Sequence, residues 1–353
     1  MDTRARTLSE RQLAHLVTLT GLDGQRALIH YALGTLLDAI ADVPPPPARS
    51  HRTLTRSGCP VEFGVTVDRN GALGLKYTVD LSTSSRPTDA LETVQRARAR
   101  LVSRYSGARD WQLLDQCASN LLQRVARSDV AVYWSVGFAQ GADPRMRMHL
   151  IGPEGAFGPV VLRSLASWGC DLVAIDAMLR AAEAVGRSSI NFIGLGIDGA
   201  GRLRCKAYLG ANLYIDLRLL TRLASALGLS TGRALALMRW YRHFIGDHVG
   251  QLGAFGVGVD LTAPPGRGAI EAYAYPGNVD LAGLRRRIDA LVRRRAHEST
   301  LTRLWALLDG DAGSPAGMYL AGCGTDTATF ARFGPITLYL GISPEAPGSC
   351  LRS

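Results

Sequence analysis

Lysine is almost missing from this chain. Only Lys76 and Lys206 occur among 353 residues, so 38 of the 40 basic side chains are arginine. Such a skew reflects coding bias toward arginine, and a lysine retained against it is a candidate for a role that needs an ammonium group. The six cysteines (Cys59, Cys117, Cys170, Cys205, Cys323, Cys350) contain no CxxC pair, which argues against a zinc ribbon or a redox dithiol; they read as free, mostly buried thiols. No uncharged apolar run approaches the roughly 18 residues of a membrane span, and Met1 to Arg11 lacks the apolar core of a signal peptide. A reducing cytoplasm with no membrane partner is the expected setting. Neither a DDxxD-like aspartate cluster nor HExxH occurs, so neither a Mg²⁺-bridging isoprenoid synthase nor a zinc hydrolase is indicated, and no metal or other cofactor is expected.

What is present has the balance of a folded protein: 47% hydrophobic and 20% charged residues exclude a disordered or fibrous chain. The net charge of +10 favours anionic partners. Nucleic acid is not the expected one, because the arginines at 285–287 and 293–295 fall on one helical segment, where such a run is a solvated face. Residues 194–199 satisfy GxGxxG, but residues 202–209 then read as a strand, so no helix N-terminus follows for a pyrophosphate and the glycines mark a hairpin turn. Isolated His15, His30, His51, His243, His248 and His297 read as structural.

Strand-like runs come in pairs joined by turn residues. The clearest is 61–68 with 73–81 across Asn70-Gly71, followed by 130–139 with 146–151, 190–197 with 203–209, 255–261 with 269–275, and 318–322 with 336–342. Helical periodicity fills the intervals at 89–105, 111–127, 158–168, 172–185, 217–227, 231–249, 281–295 and 299–308, with 9–22 and 25–41 ahead of the first pair. The unit of two helices and a hairpin recurs at a spacing of roughly sixty to seventy residues, without obvious identity between copies. One α+β domain over 1–353, with N-terminal helices in 1–45 packed on it, therefore fits better than two unrelated domains. Ten hairpin-linked antiparallel strands closed into a barrel would lose their edges and leave the helices outside. A barrel wider than eight strands leaves a lumen able to hold a ligand.

Residues of equal parity on the second strand of each hairpin share a face. That face carries Lys76 and Thr78, then Arg147 and His149, then Arg204, Lys206 and Tyr208, then Glu271, Tyr273 and Tyr275, and finally Thr337 and Tyr339, whereas Leu75, Met146, Met148, Leu150, Leu203, Ile336 and Leu338 line the other. A solvent-exposed sheet face would explain the alternation alone. Convergence of four cations and several phenols is the arrangement that holds a diphosphate, and tyrosine faces can also shelter an allylic carbocation. Trp134 is undecided between lumen and core. The alternating glycines in 192–197 and 255–259 would keep the wall open beside a bulky substrate.

The segments Gly58-Cys59-Pro60-Val61-Glu62-Phe63, Leu75-Lys76-Tyr77, Arg204-Cys205-Lys206-Ala207-Tyr208 and Glu271-Ala272-Tyr273 resemble the aromatic prenyltransferases of the dimethylallyltryptophan synthase type. That resemblance implies a ten-stranded prenyltransferase barrel of five αββα units. It implies that Glu62 accepts the indole N–H of an aromatic acceptor, that Lys76, Arg147, Arg204 and Lys206 hold the diphosphate, and that Tyr208, Tyr273 and Tyr339 form the shield. His149 stands where tyrosine is usual and Glu271 where glutamine or lysine is common. The strand 130–139 lacks the lysine that some members use to remove the ring proton, which makes His149 a candidate base. The expected reaction is metal-independent transfer of a dimethylallyl or longer group from its diphosphate to an indole or tryptophan-derived acceptor. A phenol- or naphthol-prenylating enzyme on a similar barrel, and a noncatalytic barrel binding a hydrophobic phosphate, are the other readings.

Overall fold

The first and third hairpins are closed by the same turn chemistry without sharing a sequence. In the first, the Asp68 carboxylate accepts the backbone N–H of Ala72 at 2.8 Å and Gly71 takes φ 83°. In the third, Asp198 accepts the N–H of Arg202 at 2.9 Å and Gly201 takes φ 78°. A short acceptor side chain ahead of the returning strand, and a residue free to adopt positive φ, are what a tight reversal requires.

The computed structural model describes residues 3–41, 59–68, 71–82, 87–102, 111–125, 130–153, 155–187, 190–198, 201–214, 217–245, 252–264, 270–275, 281–292, 298–309, 318–326 and 335–342. Helices α1 (Thr3–Leu19) and α2 (Arg26–Ala39) precede the first hairpin, β1 (Val61–Val67) and β2 (Leu73–Asp80). Then come α3 (Pro87–Val102), α4 (Trp111–Arg124), β3 (Ala131–Ala139) and β4 (Ala142–Ile151); α5 (Pro159–Arg163), α6 (Leu172–Ala184), β5 (Phe192–Ile197) and β6 (Leu203–Tyr214). The chain continues through α7 (Leu217–Ala226), α8 (Thr231–Ile245), β7 (Leu252–Asp260) and β8 (Ile270–Tyr275), then α9 (Leu281–Val292), α10 (Glu298–Asp309), β9 (Met318–Asp326) and β10 (Ile336–Ile342).

The class is α+β with an antiparallel sheet, as the periodicities imply. The sheet curls round so that β1 pairs with β2 on one side, Gly64 opposite Lys76, and with β10 on the other, Gly64 opposite Tyr339. Several elements differ from the sequence expectation: α1 begins at Thr3 rather than 9, β4 at Ala142 rather than 146, and β7 at Leu252 rather than 255. The strand expected to end at residue 209 runs to Tyr214, because β7 pairs along it as far as Leu252. The ninth strand continues past Gly322 to Asp326 along β10 and β8. The single helix expected over 158–168 is split, α5 giving way to a 3₁₀ segment, Ser164–Trp168, that ends at Gly169 with φ 87°.

Alternation sorts each strand's side chains. Val61, Phe63, Val65, Leu75, Tyr77, Val79, Met148, Ile193 and Cys205 are fully covered on the outer face, each aliphatic or aromatic one contributing about 1.5–3 kcal/mol by burial. Hydroxyl groups tie helices to this face: Tyr77 donates to the Ile29 carbonyl of α2 at 3.3 Å and Tyr241 of α8 to the Gly256 carbonyl at 2.8 Å. Cys59, Cys117, Cys170 and Cys205 are buried free thiols. On α9, Arg285 lies 5.2 Å over the Trp305 ring, and Arg286 is exposed; residues 293–295 lie outside the described residues. Among the described residues, no helix is long and apolar enough to cross a membrane.

Trp134, undecided from parity, belongs to the outer core. Its ring is fully buried, 6.1 Å from that of Trp111 on α4, and its Nε1 has no hydrogen-bond partner. Trp134→Ala should therefore cost about 3–5 kcal/mol in urea unfolding. Trp134→Phe should cost much less, because it keeps most of the packing and removes an unpaired donor. Equal costs for the two would show that packing against α4 is not what the indole supplies.

Candidate active site

The lumen wall alternates large side chains with glycines across neighbouring strands. Lys76 is flanked by Gly64 and Gly137, Arg147 by Gly196, Lys206 by Gly194, Tyr208 by Gly258 and Tyr273 by Gly256 and Gly324. A Cβ at Gly258 would stand 2.8 Å from Tyr208 Cε1, and one at Gly324 would stand 2.7 Å from Tyr273 Cδ1. No side chain fits there, so the rings lie flat along backbone that only glycine leaves uncovered.

The rings form a continuous arc. His149 and Phe192 lie 5.2 Å apart, Phe192 stacks on Tyr208 at 4.4 Å, Tyr208 is 5.9 Å from Tyr273, and Tyr273 is 6.1 Å from Tyr339. Lys76 Nζ closes the arc 5.5 Å from the Tyr339 centroid. One stacked and three tilted contacts at these separations hold each ring at a fixed angle to its neighbour.

The cations are not equivalent. Arg204 is ion-paired with the buried Asp260 and is itself 44% exposed, which places it at the rim beside the hairpin turn. Lys206 is ion-paired with Glu271, whose second carboxylate oxygen accepts the Tyr273 hydroxyl. Lys76 and Arg147 have no carboxylate within ion-pairing distance among the described residues. Burial, with Arg147 nearby, lowers the Lys76 ammonium to about 8, against the pull of Glu62 and Glu271. Burial alone would raise Glu271, but the Lys206 and Arg147 charges and its hydrogen bonds hold it at about 2.

Beyond the cations along the strands lie Glu62, directly opposite Thr78, and Asp80, opposite Tyr133. Glu62 forms no hydrogen bond or ion pair among the described residues, and burial pushes its carboxyl up to about 7 while Lys76 pulls it down. His149 Nε2 and Ser135 Oγ are 2.9 Å apart, and His149 Nδ1 has no partner. Burial first, then Lys76 and Arg147, hold the imidazole well below its usual value, so it is neutral.

The structure thus brings Glu62, Lys76, Arg147, His149, Lys206, Tyr208, Glu271, Tyr273 and Tyr339 to one lumen and sets Arg204 at its rim. Tyr275 ends β8, and its side chain lies outside the described residues. Sequence reasoning missed Phe192, Ser135, Tyr133 and Asp80, all of them legible by parity from their own strands. The motif at 194–199 is followed by β6, as expected of a hairpin. No group of three His, Cys, Asp or Glu side chains among the described residues is placed to hold a metal ion.

Asp80 gives this region a measurable signature. Burial pushes its carboxyl up to about 7, opposed by hydrogen bonding from Ser82, whose N–H donates at 2.9 Å. With the folded value above the ordinary one, its stabilising contribution is complete below about pH 4 and is lost as pH rises through about 7. Asp80→Asn keeps the acceptor and cannot ionise. It should melt above wild type at about pH 8 and converge with it near about pH 4; a pH-independent difference would show that Asp80 does not titrate in this window.

No protein-family model matches the sequence, and no curated protein does either. Solved structures do match. The chain is similar to 5-dimethylallyl tryptophan synthase from Streptomyces coelicolor, solved in complex with DMASPP and Trp, with TM-score 0.70 and 20% identity over 98% of this chain and 96% of that one. It is similar to 6-dimethylallyltryptophan synthase from Micromonospora olivasterospora, also solved with DMASPP and Trp, at 0.69 and 19% over 96% and 98%. It is similar to the prenyltransferase PriB in its ternary complex with L-tryptophan and dimethylallyl thiolodiphosphate, at 0.72 and 19% over 97% and 99%. The chain therefore has the fold of the dimethylallyltryptophan synthases and related aromatic prenyltransferases.

Proposed function

We propose that the chain is an aromatic prenyltransferase that moves a dimethylallyl, or longer prenyl, group from its diphosphate to an indole or tryptophan-derived acceptor. We read residues 1–353 as one domain, a closed ten-stranded barrel of five αββα units, whose lumen is the reaction chamber. The observation that carries the proposal is the lumen itself: Lys76, Arg147 and Lys206 beside an unbroken arc of aromatic rings, with the unpartnered Glu62 beyond them. The solved structures with this fold hold a prenyl thiolodiphosphate or DMASPP together with tryptophan, which agrees with a two-substrate lumen.

In this reading the ammonium and guanidinium groups neutralise the diphosphate oxygens, Arg204 joining from the rim. The allylic C–O bond breaks with its electron pair going to the diphosphate. The allyl cation then lies against Tyr208, Tyr273 and Tyr339, each ring face contributing roughly 0.5–2 kcal/mol where water is excluded. The acceptor ring carbon donates the electrons of the new C–C bond while Glu62 takes the hydrogen bond of the ring N–H, which makes the ring more nucleophilic. The ring proton leaves to a base, and His149 is our assignment: its imidazole is neutral, sits at the end of the aromatic arc, and has its Nε2 paired with the Ser135 hydroxyl. Protein cations do the charge compensation, so no metal is required in this scheme.

Mass spectrometry of reactions with a panel of prenyl diphosphates and aromatic acceptors tests the reading. An indole acceptor should gain one prenyl unit, and turnover should persist in EDTA; complete, Mg²⁺-reversible loss would overturn metal independence. Glu62→Gln should retain the fold and donor binding while lowering kcat by on the order of 10² with an indole acceptor. Near wild-type turnover by a folded Glu62→Gln protein would remove Glu62 from the mechanism. Arg147→Ala should raise the donor KM more than the acceptor KM, and the reverse order would displace Arg147 from the diphosphate site.

A further inference from the structure

One of the three lumen cations already has an anion. Lys206 is ion-paired to Glu271 Oε1, while Glu271 Oε2 accepts the Tyr273 hydroxyl, so both carboxylate oxygens are committed. The pair is mostly buried, with side chains 8% and 19% exposed. Lys76, Arg147 and His149 also feel the Glu271 charge, which makes it the carboxylate common to the whole set. Lys76 and Arg147 have no carboxylate of their own within ion-pairing distance among the described residues. Glu271 therefore already pairs with the ammonium that a diphosphate held by these cations would have to reach.

We propose that Glu271 is a resident anion: it holds Lys206 and the Tyr273 hydroxyl before the donor binds, and the donor's diphosphate takes Lys206 from it. This rests on the reading of the lumen as a diphosphate site and adds that donor binding there is an exchange of anions at Lys206. Two consequences follow from the chemistry. Breaking a desolvated, charge-assisted pair opposes binding, so the resident carboxylate weakens donor affinity. In return it fixes the direction of a long, flexible side chain, and it keeps the Tyr273 phenol donating to a carboxylate, so that ring stays electron-rich where a cation would form. Glu271 is thus a positioning residue, acting through Lys206 and Tyr273.

Calorimetric titration with inorganic pyrophosphate tests the exchange without any turnover. Wild type, Glu271→Gln, Lys206→Ala and the double variant form a mutant cycle; Lys206→Met, which keeps the apolar stem, replaces Lys206→Ala if the latter does not fold. Glu271→Gln should bind pyrophosphate about tenfold more tightly than wild type. That gain should disappear when Lys206 is absent. Unchanged or weaker binding by Glu271→Gln would overturn the proposal, and so would an equal gain in the background lacking Lys206, which would reduce Glu271 to a diffuse charge. In both of those outcomes wild type still binds pyrophosphate and the diphosphate-site reading survives; failure of wild type itself to bind would overturn that reading and the exchange with it.

Discussion

Positive charge held inside a protein wall is the constraint on which the rest of this structure depends. A buried ammonium or guanidinium loses its hydration and must find anions, and only the ammonium can instead move toward its neutral form. The barrel answers unevenly. Asp260 satisfies Arg204 and Glu271 satisfies Lys206, whereas Lys76 is driven down to about 8, with Arg147 adding to the cost. The other face of the sheet is a deep apolar core under the helices, whose burial offsets the cost of this charged wall. In the proposed reaction the donor's diphosphate supplies the anion that Lys76 and Arg147 lack among the described residues.

Close packing of flat rings inside a barrel imposes the second constraint. Inward side chains converge, so a ring can lie along the wall only where the adjoining residue has no side chain. Gly194, Gly258 and Gly324 meet that condition under His149, Tyr208 and Tyr273. The aromatic arc and the glycines are one device: remove the glycines and the rings must turn into the space that the proposed substrates need.

Much of this was legible in the strands themselves. Period-two alternation separates Lys76, Arg147, Lys206, Tyr208, Glu271, Tyr273 and Tyr339 from the apolar residues between them, and turn chemistry such as Asp68 with Gly71 marks the hairpins. The same rule places Ser135, Tyr133 and Phe192 on the inner face of the first strands β3 and β5, and Asp80 on that of β2 two residues beyond Thr78. Strand ends were less legible: β6 runs to Tyr214 because β7 is there to pair with it, which no property of residues 210–214 announces.

By itself, then, the sequence determined the element order, the α+β class, and which residues share a face, because side-chain direction in a strand follows from backbone geometry alone. Only the tertiary structure decided who pairs with whom. Lys206 and Glu271 are 65 positions apart, and Arg204 and Asp260 are 56 apart; their union, the isolation of Glu62, and the burial of Trp134 against Trp111 depend on how strands register and helices pack. Those are sums over many distant contacts, whereas parity is a property of neighbours in the chain.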